Sequence, residues 1–378
     1  MTAPPFSLLV KPAGPDCNLR CSYCFYLEKE SLFPGPDPAR MSPQVLEAMI
    51  RKYMALDQPV YAFCWQGGEP TLMGLPFYRQ ATALQERYAP AGSVITNSIQ
   101  TNATGITDAL AAHLADYRFL AGCSLDGPQD VHDLHRRGTG GQGSYARVRE
   151  GLDILMRHGV EVDILAMVTR ANVGAPERLY DFFGELGCDR LHFIPCVRDG
   201  SARGAGAAIT GEQWGAFLNG IFDRWWARDV GRVAIRLFDA VVAGMAHDRD
   251  WLCTLGRDCR QYLVVEHDGT VYPCDFFVEE GLRLGNVTDD SLAMIRAGEA
   301  YRRFGETKLT VPEECRSCRH WELCRGDCPV NRPADGRSLL CAGWLRFFDH
   351  AGPRLADLAR RVRARDASGP DLTEERRS

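Results

Sequence analysis

The 378-residue chain has no long hydrophobic run, since no stretch approaches 18 uninterrupted apolar residues. Its N-terminus lacks a charged region followed by an apolar segment, the pattern of a secretory signal. A basic excess is also missing, because the formal net charge is −5, and this argues against nucleic acid as a partner. These absences predict a cytoplasmic protein that binds neither a membrane nor nucleic acid.

Cysteine, in contrast, is abundant. Fifteen cysteines occur in a chain that is otherwise of ordinary globular composition, with 45% hydrophobic and 25% charged residues. Disulfides persist in oxidising compartments, so this number in a cytoplasmic chain indicates metal or redox chemistry. The length is sufficient for two or three domains.

Three of the cysteines form a compact motif near the start. Cys17, Cys21 and Cys24 have the spacing C-x3-C-x2-C, and the next cysteine is Cys64. Three thiolates can hold three irons of a [4Fe–4S] cube, whereas a structural zinc site or a ferredoxin-type cluster requires a fourth ligand. The spacing therefore predicts a reactive cluster with one open iron that can chelate a small molecule.

This motif resembles the signature of the radical S-adenosylmethionine (SAM) enzymes. It is followed by Gln66-Gly67-Gly68-Glu69-Pro70, which is similar to the GGEP element of that family. The resemblance implies that Gly67, Gly68 and Glu69 help to hold the methionyl amino group of SAM. Glycines allow close backbone approach, and a carboxylate can pair with an ammonium. The alternative is a plain glycine-rich turn after a strand.

Apolar runs and amphipathic stretches alternate over the first two hundred residues. This pattern predicts βαβ units with a parallel sheet. Six such units would form a partial (β/α)6 barrel of the α/β class, which is also the fold that the resemblance implies. The predicted strands are 6–11, 60–65, 94–100, 119–125, 162–168 and 190–195. The predicted helices are 43–56, 75–88, 107–116, 145–158, 175–186, 211–227 and 234–246.

Distinctive groups follow the predicted strands, and catalytic groups of β/α barrels lie at the C-terminal ends of the strands. We therefore take Gln66, Ser124 and Arg147 as candidate SAM or substrate contacts, although helix caps and turns are the alternative roles for such loops. The resemblance further implies that Phe25 packs by the SAM adenine, and Tyr26, just after the first motif, is a candidate substrate contact.

The C-terminal third carries a second set of cysteines. Cys259, Gly269 and Cys274 fit C-x9-G-x4-C, and a C-x2-C-x5-C-x3-C run begins at Cys315. This arrangement resembles the SPASM domain of radical SAM enzymes that act on peptides and proteins. Eight cysteines would ligate two further [4Fe–4S] clusters. The resemblance implies a first auxiliary cluster on Cys253, Cys259, Cys274 and Cys328, and a second on Cys315, Cys318, Cys324 and Cys341. Two zinc sites are the alternative.

The predicted domains follow from these motifs. The radical SAM partial barrel takes residues 1–230, a helical linker 231–252 with a flexible segment before it at 200–206, the small cysteine-rich SPASM domain 253–350, and a helix end with a polar tail 351–378. Residues 262–274 read as a β-hairpin with Asp268-Gly269 as a two-residue turn. The four remaining cysteines, at positions 64, 123, 188 and 196, are predicted core residues.

Over residues 6–350 the chain resembles the anaerobic sulfatase-maturating enzymes, through CNLRCSYCFY, QGGEPTL, SLDG and VYPCDFF. These enzymes convert a cysteine or serine of a sulfatase into Cα-formylglycine. The resemblance implies SAM and three [4Fe–4S] clusters as cofactors, and Asp275 as the catalytic base. It also implies an unfolded or nascent sulfatase as substrate and an electron donor such as ferredoxin or flavodoxin.

Two other functions remain open. A different SPASM enzyme could form a thioether or carbon–carbon crosslink on a ribosomal peptide. Many of these carry an added recognition domain, for which the first predicted strand at residue 6 leaves no room in front. An electron-transfer protein with three clusters would explain the eleven ligands, but it would not explain an open iron beside GGEP.

Overall fold

The computed structural model describes residues 5–34, 38–197 and 206–367. The six predicted barrel strands are present, each within one residue of its predicted ends. Most of the predicted flexible segment at 200–206 lies outside the described residues. The strands are β1 (Ser7–Lys11), β2 (Val60–Trp65), β3 (Val94–Thr101), β4 (Leu120–Ser124), β5 (Glu161–Val168), β6 (Arg190–Pro195), β7 (Ala234–Ile235), β8 (Tyr262–Glu266), β9 (Thr270–Tyr272) and β10 (Gly285–Asn286).

All ten strands belong to one open sheet, in the order β10-β9-β8-β1-β2-β3-β4-β5-β6-β7. Strands β1 to β7 are parallel, so the predicted partial barrel is confirmed. The sheet continues beyond it, since β8 pairs in parallel with β1, from Ser7 opposite Tyr262 to Lys11 opposite Glu266. The cysteine-rich region is thereby joined to the barrel edge that precedes the first cysteine loop.

Helices cover the outer face of the sheet. On β2, Tyr61, Phe63 and Trp65 are at most 1% exposed and point towards this layer, whereas Cys64 and Gln66 alternate to the inner face. The helices are α1 (Pro43–Met54), α2 (Gly74–Tyr88), α3 (Asp108–Asp116), α4 (Gln129–His135), α5 (Tyr145–Arg157), α6 (Pro176–Glu185), α7 (Gly211–Arg228), α8 (Arg236–His247), α9 (Leu292–Ala297), α10 (Glu299–Glu306), α11 (Glu313–Arg316), α12 (Trp321–Cys324) and α13 (Cys341–Ala367). Among the described residues, no helix combines the length and apolar character needed to cross a membrane.

The turn of the β8–β9 hairpin differs from the prediction. Val265 pairs with Val271, so the loop has three residues, 267–269, and not two. The N–H of Gly269 donates to the carbonyl of Glu266 at 2.9 Å, and Gly269 has a φ of +85°. A glycine at positive φ after a turn is the usual form of a three-residue hairpin loop. The Asp-Gly pair was therefore assigned to the correct turn but with the wrong loop length.

One further expectation, the start of the predicted helix 234–246, differs in detail. Ala234 and Ile235 form the short strand β7 instead of starting α8, because Ala234 donates its N–H to Asp189 beside β6. Helix α13 begins at Cys341 and runs to Ala367, so it includes the helix end that the sequence predicts after residue 350. Its apolar face, with Phe347 and Leu355 buried, packs on α7 and α8.

Candidate active site

The first cysteine triplet lies in the loop that follows β1. Cys17, Cys21 and Cys24 are close enough that electrostatic interactions join each sulfur to the other two. Burial is the main cause that raises the pKa of the Cys17 thiol to about 12. Sγ of Cys17 accepts the N–H of Leu19 at 3.3 Å and the amide of Asn102 at 3.7 Å. Donors that face a sulfur suit a thiolate, the form that binds iron.

The QGGEP segment packs against this loop through its main chain. The N–H groups of Gln66, Gly68 and Glu69 donate to the carbonyls of Val10, Gly14 and Asp16, each at 2.8 Å. A Cβ atom at Gly68 would lie 1.9 Å from the carbonyl oxygen of Asp16. The second glycine is therefore required by the close approach of the cysteine loop itself.

The Glu69 side chain is 1% exposed and accepts four hydrogen bonds. Its Oε1 accepts the N–H and hydroxyl of Thr71 at 2.9 and 2.7 Å and the hydroxyl of Thr101 at 2.7 Å, while Oε2 accepts the N–H of Asn102 at 2.8 Å. Burial raises the pKa of this carboxyl. The carboxylate thus links the end of β3 to the segment after β2 by hydrogen bonds. Oε1 accepts three of them and Oε2 only one, so Oε2 is the oxygen with acceptor capacity left for an ammonium.

The other candidate SAM contacts have different positions. Ser124 ends β4 and accepts a hydrogen bond from the Gln100 amide of β3 at 3.0 Å. Gln66 is half-buried directly after β2. Arg147 is exposed on the outer helix α5, and no hydrogen bond or ion pair joins it to these residues in the described chain. The structure thus brings Gln66 and Ser124 to strand ends, but not Arg147.

A buried polar network beside Cys21 was missed by the sequence analysis. Tyr23 donates its hydroxyl to Asp126, and Arg136 donates to the Tyr23 hydroxyl at 2.7 Å. The Arg136 guanidinium also opposes the burial that raises the pKa of the Cys21 thiol to about 11. Asp126 was visible in the SLDG group, whereas Arg136 lies in a charged run that carried no signal.

Phe25 and Tyr26, which follow the triplet, differ in exposure and in contacts. Phe25 is 37% exposed, and its ring lies 4.5 Å from that of Phe276. Tyr26 is 2% exposed and donates its hydroxyl to the Glu266 carboxylate, with oxygen distances of 2.5 and 2.6 Å. The buried ammonium of Lys11 lies 3.6 Å from the Tyr26 ring centroid. Tyr26 therefore links the cysteine loop to β8 in this structure and is buried away from any substrate, whereas the ring of Phe25 is exposed.

Asp275 follows the hairpin directly after Cys274. Its Oδ1 accepts the Tyr262 hydroxyl at 2.9 Å, and the same hydroxyl lies 3.2 Å from Sγ of Cys274. Burial raises the pKa of the Cys274 thiol, and the neighbouring Asp275 carboxylate raises it further. Asp275 also interacts electrostatically with Tyr26 and Glu266. The predicted base is consequently close to both the cysteine loop and the hairpin.

The eight later cysteines interact in two groups. In the first, electrostatic interactions join Cys253 to Cys259 and Cys328, and Cys328 to Cys274. In the second, Cys341 interacts with Cys315 and Cys324, and Cys318 with Cys315. All four sulfur-bearing residues of the second group line one cavity, of about 130 Å³. These groups coincide with the two predicted ligand sets.

The donor chemistry of all three groups fits [4Fe–4S] clusters. Sulfurs in each group accept hydrogen bonds or interact with cations, as with the main-chain N–H of His320, 3.4 Å from Sγ of Cys318. Within the described residues, no set of three or more Cys, His, Asp or Glu side chains is arranged around a single metal ion. Three remaining cysteines, at 123, 188 and 196, are buried, and Cys64 is half-buried on the inner face of β2.

Residues 12–193 match the radical SAM superfamily, and residues 253–319 match the iron–sulfur cluster-binding SPASM domain. The chain is 37% identical over 375 residues to the serine-type anaerobic sulfatase-maturating enzyme of Bacteroides thetaiotaomicron, with 93% of this chain and 90% of the relative covered. It belongs to the anaerobic sulfatase-maturating enzyme family. The resemblance inferred from the motifs is therefore confirmed.

Both substrate types occur among the relatives of this family member. A cysteine-type anaerobic sulfatase-maturating enzyme of Clostridium perfringens is 33% identical over 370 residues, covering 95% of this chain and 100% of the relative. The solved structure of native anSMEcpe with bound AdoMet and the Cp18Cys peptide has a TM-score of 0.87 and 32% identity, covering 95% of this chain and 100% of that chain. The fold thus agrees with that of a maturating enzyme over nearly its full length.

Proposed function

We propose that this protein is a SAM-dependent enzyme that oxidises a cysteine or serine of a sulfatase to Cα-formylglycine. The observation that carries the proposal is the arrangement of eleven cysteines in one group of three and two groups of four, with Asp275 next to a member of the first four-cysteine group. Membership of the family supports it.

The three groups have distinct roles in this proposal. Cys17, Cys21 and Cys24 would hold the cluster with the open iron. The first auxiliary cluster would be held by Cys253, Cys259, Cys274 and Cys328, and the second by Cys315, Cys318, Cys324 and Cys341. When bound, SAM and the cluster with the open iron supply the radical that takes a hydrogen atom from the substrate Cβ. The auxiliary clusters supply an acceptor for the second electron.

SAM would lie between the cysteine loop and the ends of β2 and β4. Gly67 and Gly68 would offer main-chain carbonyls to its ammonium, with Oε2 of Glu69 as a further acceptor. Gln66 and Ser124 remain candidate contacts at these strand ends, and the exposed ring of Phe25 is available to the adenine. Arg147, being exposed on α5, would need to move to take part.

Asp275 would accept the thiol or hydroxyl proton of the substrate at Oδ2, because Oδ1 already accepts the Tyr262 hydroxyl. Loss of the proton and of the second electron leaves a thioaldehyde from cysteine, which water hydrolyses to the aldehyde with release of sulfide. A serine gives the aldehyde directly. The buried pair Tyr26–Glu266 would fix the wall of the site behind Phe25.

The partners remain predictions that follow from this chemistry. The substrate would be an unfolded or nascent sulfatase, because the target residue must enter the site in an extended segment. Ferredoxin or flavodoxin would supply the electron that SAM cleavage consumes, and we propose the cytoplasm as the location.

The test is an anaerobic assay of the reconstituted protein with SAM, dithionite and peptides that carry C-x-P-x-R or S-x-P-x-R. Mass spectrometry would follow both the peptide and 5′-deoxyadenosine. We expect an aldehyde on the target residue, and the two peptides reveal the substrate type. Deoxyadenosine with unmodified peptide would contradict maturation and favour a crosslinking enzyme. Absence of deoxyadenosine would exclude the reductive cleavage of SAM by this protein.

A further inference from the structure

Lys308 is a fully buried lysine in the cysteine-rich region. Its residue exposure is 0%, and it follows α10 in a short 3-10 turn. The ammonium donates to the carbonyls of Thr254 at 2.7 Å and Asp327 at 2.6 Å. Thr254 follows Cys253 and Asp327 precedes Cys328, so each acceptor is one residue from a proposed ligand of the first auxiliary cluster.

No carboxylate in the described ranges lies within ion-pair distance of the Lys308 ammonium. Asp327 is the acid that interacts most strongly with Lys308. Its carboxylate, however, is bound to other groups, since it accepts the Cys328 N–H at 2.7 Å and the Ser338 hydroxyl at 2.6 Å. The guanidinium of Arg332 places a second positive charge close to Lys308, because it donates to the main-chain carbonyls of Asp327 and Lys308 at 2.7 and 2.9 Å. A buried charge without a close counter-ion is unfavourable.

Besides Asp327, the negative groups that interact with Lys308 are cysteine sulfurs. The ammonium interacts electrostatically with Cys253, Cys259 and Cys328, and its two carbonyl acceptors adjoin the first and the last of these in the chain. It also interacts electrostatically with Cys324 of the second group. Three of the four proposed ligands of one cluster therefore lie within the electrostatic reach of this ammonium.

We propose that Lys308 is the counter-ion of the first auxiliary cluster and raises its reduction potential. The inference rests on the ligand sets of the proposed function. A thiolate-ligated cluster is negatively charged and becomes more so on reduction, and a fixed neighbouring cation stabilises the reduced form. Lys308 thereby favours passage of the second substrate electron to this cluster. It is a positioning and tuning residue, with no contact to substrate.

The test is a redox titration of the reconstituted full-length protein without peptide, followed by electron paramagnetic resonance, with a parallel sample that contains SAM to identify the cluster whose spectrum responds to it. Lys308→Gln keeps amide N–H donors for both carbonyls but removes the charge. We expect the midpoint potential of one cluster to become more negative, while the cluster whose spectrum responds to SAM keeps its potential. An unchanged set of potentials at full iron content would overturn the inference.

The matched control is Lys52→Gln. Lys52 on α1 also donates to two main-chain carbonyls, of Thr288 and Asp290 at 3.0 and 2.8 Å, but it is only half-buried. We expect no change of any potential in this variant. A shift equal to that of Lys308→Gln would assign the effect to lost hydrogen bonds or to general instability, and would refute the counter-ion role.

If Lys308→Gln fails to assemble its clusters, Lys308→Arg decides the question. The arginine keeps the charge, so we expect its iron content to return towards the wild-type value and its potentials to match. An arginine variant as poor in iron as the glutamine variant would overturn the role of the charge. A wild-type protein without auxiliary clusters would refute the proposed function instead, so the two failures are distinguishable.

Discussion

Tyr262 donates its hydroxyl to Oδ1 of Asp275 at 2.9 Å and at the same time lies 3.2 Å from Sγ of Cys274. One hydroxyl thus contacts both a proposed cluster ligand and the proposed base. Tyr262 begins β8 and Asp275 follows β9, so the antiparallel hairpin brings them together. The base is oriented by a strand of the central sheet rather than by a loop alone.

Replacement of this tyrosine tests the orientation of the base. Tyr262→Phe removes the hydrogen bond but keeps the ring, and we expect peptide oxidation to fall at least about tenfold, because a hydrogen bond to a charged group contributes about 1.5–3 kcal/mol. Formation of 5′-deoxyadenosine should persist. Tyr301→Phe is the control, because the Tyr301 hydroxyl donates at 2.7 Å to the main-chain carbonyl of Tyr262 instead. Equal losses in both variants would contradict the assignment.

Removal of the proposed base has a larger predicted effect. Asp275→Asn keeps the volume and an acceptor for Tyr262 but cannot take up a proton at neutral pH, so we expect peptide oxidation to fall by about 100-fold or more. SAM cleavage should continue, as measured by deoxyadenosine release. Asp268→Asn, in the turn of the same hairpin, should leave both activities near wild type. Unchanged peptide turnover in Asp275→Asn would remove this residue from the mechanism.

Local patterns were sufficient for the barrel strands and the cysteine groups. Strand 60–65 is an apolar run in the sequence. The cysteines of each group are either closely spaced in the chain or match a motif of a known family. The pairing of β8 with β1 was not predictable in this way, because it joins segments some 250 residues apart in sequence. The contact of Tyr26 with Glu266 depends on that pairing, so the local sequence of the hairpin does not predict that the Glu266 carboxylate is buried or that it binds Tyr26.

Burial also escaped prediction where it contradicts residue type. Lysine is almost never fully buried without a partner, so residue type gives no indication that Lys308 is buried. The hairpin loop shows a different limit. Asp-Gly identifies a turn, but the loop length depends on the register of Val265 with Val271, which packing decides.

The close approach of the cysteine loop to GGEP yields a third prediction. In Gly68→Ala, the added Cβ would lie 1.9 Å from the carbonyl oxygen of Asp16, so the loop that begins with Cys17 must shift. We expect the variant to lose SAM cleavage and part of its iron while the auxiliary clusters remain. Gly184→Ala on α6 is the control, since no atom lies within 4 Å of its added Cβ. Full iron and normal SAM cleavage in Gly68→Ala would show that the contact is not required.

The buried carboxyl of Glu266 makes folding stability dependent on pH. Burial raises its pKa from 4.5 to about 7, although the Lys11 ammonium and the Tyr26 hydroxyl oppose the rise. The folded protein therefore holds a proton here that the unfolded chain has released. This contribution to stability is fully present below about pH 4.5 and is lost as the pH rises towards 7, by about 3 kcal/mol in total.

Glu266→Gln removes this titration while keeping an oxygen acceptor for Tyr26. Because Lys11 then lacks its carboxylate, the variant is less stable by an amount that does not change with pH. The difference in free energy of unfolding between variant and wild type should nevertheless move in favour of the variant by about 2–3 kcal/mol from pH 5 to pH 8. Anaerobic urea denaturation of the reconstituted proteins measures it. A difference that stays constant over this range would mean that Glu266 is ionised throughout, with Lys11 as an effective counter-ion.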